Sequence, residues 1–201
     1  FSTGEIEVDG STIYHKTEYK ERRDHYAFYG VNAPINGFDT DRESFLGLYN
    51  GFDEPQVVEA GKPSNSVAMG WSPIASHYIE VELNPGESKD YVFTLGYIEM
   101  EQSEKFQATT QEDIKKIVDG GLKVSTMASP IINKCKAQEV LKKFDTAAKV
   151  DAAFMELRAY WDNLLNIYTV NSGNDKLDRM VNSWNQYQCM ITFCFSRSAS
   201  F

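Results

Sequence analysis

The stretch His77–Tyr97, HYIEVELNPGESKDYVFTLGY, decides the first half of the fold. Ile79, Val81 and Leu83 alternate with Glu80 and Glu82, the period-two pattern of a strand with one buried face. Asn84-Pro85-Gly86-Glu87 then turns the chain: Pro85 presets φ and Gly86 accepts a left-handed conformation. The return arm carries Tyr91, Phe93 and Leu95 on one face, so the spacing predicts a hairpin. Near the start, IEVDGSTIYH repeats the pattern, with Ile6 and Val8 alternating, an Asp9-Gly10 turn, and then Ile13. Short strands rich in Tyr, Phe, Val and Ile, separated by turn signals, point to a β-sandwich or part of one over residues 1 to about 100.

From about Phe106 the period changes. Val150, Phe154, Leu157, Trp161 and Leu164 fall at spacings of four, three, four and three, one apolar stripe on a helix opening near Asp145 or Thr146. Leu177, Met180, Val181, Trp184, Tyr187 and Ile191 form a second stripe, with Ser172 or Asn174 as its cap. Between the two regimes, Gly120-Gly121 and Ser129-Pro130 break any long helix, so residues 107–133 read as a linker or inserted loop. Strands followed by helices give an α+β fold in series. The second stripe runs almost to Phe201, and so wide an apolar face is expected to pack on polypeptide beyond it.

Bulk properties narrow the partners. The chain has 201 residues, 42% hydrophobic and 24% charged, with a net charge of −9. Its basic groups, Lys20 to Arg23 and Lys134 to Lys143, are interrupted by Glu21 and Glu139 and read as solvated faces. A nucleic-acid backbone requires denser positive charge than this. No apolar run approaches the roughly 20 residues of a membrane span. Cys135, Cys189 and Cys194 show no CxxC spacing and no neighbouring His. Cys189 and Cys194 flank Met190–Phe193 and are expected to be buried, which fits a cytoplasmic protein.

Candidate chemistry is sparse. His15, His25 and His77 are far apart, with no metal-ligand spacing. FDTDRESFLG (Phe38–Gly47) begins like a calcium loop at Asp39, Asp41 and Glu43. However, Ser44 replaces the required glycine and the closing Glu is missing, so an Asp41–Arg42 or Glu43–Arg42 charge network is the expectation. Phosphate loops and nucleophile elbows are absent. Glu5, Glu7, Glu80 and Glu82 read as solvent-facing strand positions. In Trp184–Phe201, WNQYQCMITFCFSRSASF, aromatic faces, amides and a guanidinium are the groups a sugar site uses. The simpler reading makes Trp184, Tyr187 and Ile191 core, with Asn185, Gln186 and Gln188 tying helices together. Arg197, between Ser196 and Ser198, is the candidate substrate or anion contact.

MVNSWNQYQCMITFCFSRSAS resembles the opening of the catalytic domain of the cellobiose phosphorylases of glycoside hydrolase family 94. FSTGEIEVDGSTIYHKTEYKERRDHYAFYGVN, GFDTDRESFLGLYNGFDEPQ and SPIASHYIEVELNPGESKDYVFTLGY are similar to that family's N-terminal sandwich. DRESFLG and LNPGES are shared across the superfamily, whereas YHKTEY and WNQYQCM are narrower and point to the cellobiose-cleaving members. The resemblance implies three parts: residues 1–100 as the later part of an antiparallel sandwich, 101–170 as a helical linker region with an atypical insertion, and 171–201 as the first helix of an α/α barrel. Residues 101–139 and the pair Cys194-Phe195 depart from the family pattern.

The implied reaction is attack of inorganic phosphate on the anomeric carbon of cellobiose, giving α-D-glucose 1-phosphate and D-glucose with inversion. Phosphate is a substrate, and no cofactor or metal is implied. The family's general acid and its arginine-rich segment follow the SRSAS stretch, so no catalytic residue is assigned here and the piece alone is expected to be inactive. The parent is expected to be a cytoplasmic homodimer. Cellodextrin or another β-glucoside is the alternative substrate. A non-catalytic carbohydrate-binding sandwich with a helical tail is the alternative from another class.

Overall fold

The computed structural model describes residues 3–18, 23–68, 70, 72–107 and 131–196. The chain divides into two compact units, Phe1–Ala147 and Ala148–Phe201. Antiparallel sheets are the main regular structure of the first and helices that of the second, so the α+β-in-series organisation stands.

In the first unit, β1 (Thr3–Asp9), β2 (Thr12–Glu18), β3 (His25–Val31) and β6 (Phe93–Glu99) form one antiparallel sheet in the order β1-β2-β3-β6. Asp9 pairs with Thr12, so the β1–β2 loop is Gly10-Ser11, shifted by one from Asp9-Gly10. Gly10 carries φ +56° and Ser11 does not, the pattern of a II′ turn with Gly in first place. A second sheet pairs β4 (Gly37–Asp41) with β5 (Pro73–Tyr78). It faces the first across a cavity of roughly 180 Å³ lined by Ile6, Ile13, His15, Tyr29, Ile74 and Leu95. Between the paired strands lie two short helices, α1 (Arg42–Leu46) and α2 (Gln56–Ala60).

The core lies on the opposite face of the four-stranded sheet. Tyr14, Tyr26, Phe28, Ile98, Met100, Ile132 and Ala137 form one buried cluster, with α3 (Cys135–Lys143) laid over it. Glycine makes two close approaches possible. A Cβ on Gly96 would lie 2.1 Å from Phe28 Cζ, and one on Gly30 would lie 2.7 Å from Leu141 Cδ2. The Tyr26 hydroxyl donates to the Asn133 carbonyl at 2.9 Å. Burial is the main cause pushing the Tyr26 pKa up to about 12.

Two sequence expectations change here. The hairpin over 77–97 does not form a ladder: β5 ends at Tyr78, residues 79–92 lie outside the strands, and β6 pairs with β3. The turn itself is present, with the Glu87 N–H on the Asn84 carbonyl at 2.9 Å and Gly86 at φ +83°. Alternation gave Ile79, Val81 and Leu83 a strand-like face, but a strand also needs an adjacent backbone. None of the described strands supplies one, and Val81 and Leu83 are about half exposed. The second change concerns charge. Glu7 is not solvent-facing: it lies on the core side of β1, 3.4 Å from Lys16 Nζ and 2.5 Å from Lys134 Nζ. Its carboxylate also accepts the Ile132 N–H at 3.2 Å. Lys134, expected on a solvated face, is instead fixed between Glu7 and Asp9. Burial opposes its charge, but those two partners outweigh burial and raise its pKa.

The second unit holds α4 (Ala147–Leu165, whose first residue belongs to the first unit), then α5 (Asp175–Arg179), a π-helical turn (Met180–Asn185) and α6 (Gln186–Ser196). Helix α4 occupies the span that its stripe predicts. The stripe is nonetheless open: Phe154 is 66% and Leu157 52% exposed. Among the described residues, no helix is long and apolar enough to cross a membrane.

Candidate functional site

The segment that links α4 to α5 ends in small polar residues, 171–174 (NSGN), and local chemistry fixes it. Gly173 takes φ +77°, and Asn174 caps α5 by accepting from the backbone N–H groups of Lys176 and Leu177 at 3.1 and 3.3 Å. Asp175 and Asp178 occupy the first turn, where negative charge suits the helix dipole. Ser172, the other predicted cap, is used differently. Its backbone N–H and hydroxyl both donate to Asp178 Oδ1, at 2.9 and 2.7 Å.

Two further side chains continue what Asp178 begins. Asn182 accepts from the Val170 N–H at 2.7 Å and donates to the Val170 carbonyl at 2.8 Å. Gln186 Nε2 donates to the carbonyls of Leu165 and Tyr168, at 3.5 and 3.2 Å. Asp178, Asn182 and Gln186 recur every fourth residue and form a polar ladder that holds the backbone of residues 165–172. Bonds of this type contribute about 1 kcal/mol each, and a charged acceptor contributes more. The middle rung sits within the π-helical turn.

The ladder determines the fate of the predicted terminal core. Residues turned inward include Val181, Asn182, Gln186 and Ile191. Trp184 is 57% and Tyr187 50% exposed, so neither is core within this unit. They contact each other edge to face at 6.1 Å. Of the amides expected to tie helices together, Gln186 does so. Asn185 instead lines an open groove of roughly 900 Å³ together with Trp161, Leu164, Tyr168 and Tyr187. Cys189 and Cys194 are exposed rather than buried, and Cys135 is exposed too; all three are free thiols. The run Met190–Phe193 is apolar, but α6 turns mainly Gln186 and Ile191 inward. Arg197, the candidate anion contact, lies outside the described residues.

In the first unit, FDTDRESFLG is a structural motif. Asp39, 1% exposed, accepts four hydrogen bonds from the backbone and hydroxyls of Ser64 and Ser66. Burial alone would raise its pKa, but these donors hold it below the usual carboxylate range. Asp41 caps α1 through the Ser44 N–H at 2.8 Å, and the Arg42 guanidinium lies over the Phe52 ring at 5.7 Å. The expected charge network around Arg42 is therefore replaced by a cap and a cation–π contact. No cluster of three or more metal-ligating side chains occurs among the described residues. On the face of the large sheet that looks toward the β4–β5 pair, His77 stacks on Tyr29 at 4.9 Å with the rings 9° from parallel, and Phe93 lies alongside. Both His77 ring nitrogens are buried without a hydrogen-bond partner among the described residues. Burial lowers the His77 pKa, and it is the largest cause lowering that of His15.

Comparison with known proteins places these two units in one family. Residues 1–121 match the supersandwich domain of glycosyl hydrolase 94. The chain belongs to glycosyl hydrolase family 94. Residues 160–201, which include the polar ladder, match the catalytic domain of the same superfamily. The family 94 chain is 27% identical to an N,N'-diacetylchitobiose phosphorylase of Vibrio proteolyticus and 25% identical to one of Vibrio furnissii. Both alignments cover 100% of this chain and 20% of the relative, so the chain spans about one fifth of the length of the curated relatives it matches. Sequence reading missed Asp178 and Asn182. Their four-residue spacing was the available signal, but polar residues at that interval also describe an ordinary solvated helix face.

Proposed function

We propose that this chain is part of an inverting disaccharide phosphorylase that cleaves cellobiose with inorganic phosphate. A phosphate oxygen forms a bond to the anomeric carbon as the glycosidic C–O bond breaks. The departing oxygen takes a proton from an aspartic acid outside this chain, and the products are α-D-glucose 1-phosphate and D-glucose. The observation that carries the proposal is the pair of family 94 matches, supersandwich and then catalytic domain, together with relatives named as phosphorylases. Cellobiose as the substrate rests on YHKTEY and WNQYQCM, which resemble the cellobiose-cleaving members.

N,N'-diacetylchitobiose is the second reading, favoured by the names of both relatives. The two matches, over 1–121 and 160–201, support the order of the parts, and we divide the parent into sandwich (1–100), linker region (101–170) and barrel start (171–201). Arg197 serves as an anion contact, the parent acts as a cytoplasmic homodimer, and the 201-residue piece alone is inactive. The test is to incubate the full-length parent with phosphate and each disaccharide and follow sugar phosphate by ³¹P NMR. Cellobiose should be converted faster, giving the α-anomer. Faster conversion of N,N'-diacetylchitobiose would select the second reading, and conversion of neither would remove both.

A further inference from the structure

We propose that Asn50 is a site of spontaneous modification, converted to aspartate and isoaspartate by deamidation through the Gly51 backbone nitrogen. The tetrapeptide Asn-Gly-Phe-Asp occurs twice in this chain, at 36–39 and at 50–53. Asn-Gly is the dipeptide in which this ring closure meets least obstruction, because glycine has no side chain beside the attacking nitrogen. The shared residues give the two copies closely similar intrinsic reactivity, so what separates them is the fold. The modification is independent of the reaction proposed above.

At 36–39 the tetrapeptide is built into a sheet. Gly37 is buried at the start of β4 opposite Tyr78, and a Cβ there would collide with Pro63. The Asn36 backbone N–H donates to the Tyr78 carbonyl at 2.8 Å, and its side-chain oxygen accepts the Glu80 N–H at 2.9 Å. The Phe38 N–H donates to Asn65 Oδ1 at 3.1 Å, and Asp39 is tied to Ser64 and Ser66. Turning the Asn36 amide carbon onto the Gly37 nitrogen would break the bond to Glu80 and disturb the β4–β5 ladder. The second copy has none of these ties. It lies between α1 and α2, outside any helix or strand, with all four residues exposed and no hydrogen bond at Asn50 or Gly51. Leu48 and Tyr49 beside it are exposed too, and Tyr49 sits at φ +68°, a conformation rare for a residue with a side chain. Such a loop reaches uncommon local geometries without unfolding its surroundings, whereas a paired strand must open first.

The step balances with water alone. The Gly51 nitrogen loses its proton and bonds to Asn50 Cγ, the Cγ–Nδ2 bond breaks, and the amide nitrogen leaves as ammonia with the proton that Gly51 gave up. Water then opens the five-membered imide at either carbonyl. Cleavage at Cγ leaves aspartate, and cleavage at the backbone carbonyl leaves isoaspartate, with one more atom in the main chain. Either product adds a negative charge beside Asp53 and Glu54, in the loop that exposes Leu48, Tyr49 and Phe52.

The test is to incubate the full-length parent at mildly alkaline pH, with a parallel sample in denaturing urea, and to map tryptic peptides by tandem mass spectrometry against a zero-time sample. Trypsin cuts after Arg42, so the two copies fall on separate peptides. In the folded protein, position 50 should gain about 1 Da at a rate at least about tenfold above that of position 36. In urea the two rates should converge. Gly51→Ala places a Cβ against the Asp53 carboxylate only, so the fold should tolerate it. That variant should lose most of the conversion at position 50 and keep the rate at position 36. Equal rates at the two positions in the folded protein would overturn the proposal, as would no conversion at position 50 or undiminished conversion in Gly51→Ala. A difference that persists in urea would assign it to the flanking residues rather than the fold, and would overturn the proposal too.

Discussion

The two units solve the problem of order in opposite ways. Every fully buried apolar side chain among the described residues belongs to the first unit, from Ile13 to Ala137. The second unit is richer in Phe, Trp, Leu and Met, yet Phe154, Met155, Trp184 and Phe193 are all exposed, and its inward contacts include the Asp178–Asn182–Gln186 ladder. Apolar composition therefore does not measure a core. A side chain stabilises when a facing surface removes it from water, and the four-stranded sheet has such a surface in α3. Helices α4 and α6 carry comparable stripes, and within their own unit those stripes stay largely in water.

Truncation should expose this contrast most strongly. Phe28, 1% exposed and packed against Gly96, should cost about 3–5 kcal/mol as Phe28→Ala in denaturant unfolding. Phe154→Ala, at 66% exposure, should change the stability of this chain by no more than about 0.5 kcal/mol. Equal effects at the two positions would erase the distinction between the units.

Asp39→Asn comes next, because an amide cannot accept from all four Ser64 and Ser66 donors. A loss of about 2–3 kcal/mol is expected in the same unfolding measurement. Since the folded pKa of Asp39 lies below its ordinary 3.8, its contribution is present above that value. It should disappear as pH falls through the folded pKa, and the Asn variant should lack that part of the acid sensitivity.

His77 gives a smaller effect in a different pH window. Its folded pKa lies below 6.5. Between the two values the unfolded chain holds a proton that the folded chain does not, so stability is greatest above about 6.5 and declines as pH falls below it. His77→Phe keeps the stack on Tyr29 and should flatten the dependence of Tm on pH in that window. An unchanged slope would assign the dependence to other groups, with His15 the first candidate.

These differences mark what the sequence could disclose. The β1–β2 hairpin, the Asn84–Glu87 turn and helix α4 depend on neighbours in the chain, and alternation, Gly-containing turns and a helical stripe announced them. The strand β5 was hidden because PIASHY has weak alternation and its partner, Gly37–Asp41, is remote in sequence. Glu7 looked solvated because its partner Lys134 is equally remote. The π turn has no residue signature, and the ladder's side chains resemble any polar face until the backbone of 165–172 is seen beside them. Of the site, the WNQYQC stretch was legible as a candidate, whereas the hold of Asn182 on the Val170 backbone required the fold.

Residue-resolved amide hydrogen exchange on the 201-residue chain tests the contrast between the units most directly. Ladder amides of β2, β3 and β6 around Tyr14, Phe28 and Ile98 should exchange only through global unfolding. Those of α4 and α6 should exchange orders of magnitude faster, with Val170 retaining more protection than its neighbours in the connecting segment. Protection in α4 and α6 equal to that of the central strands would contradict a second unit held mainly by polar clamps.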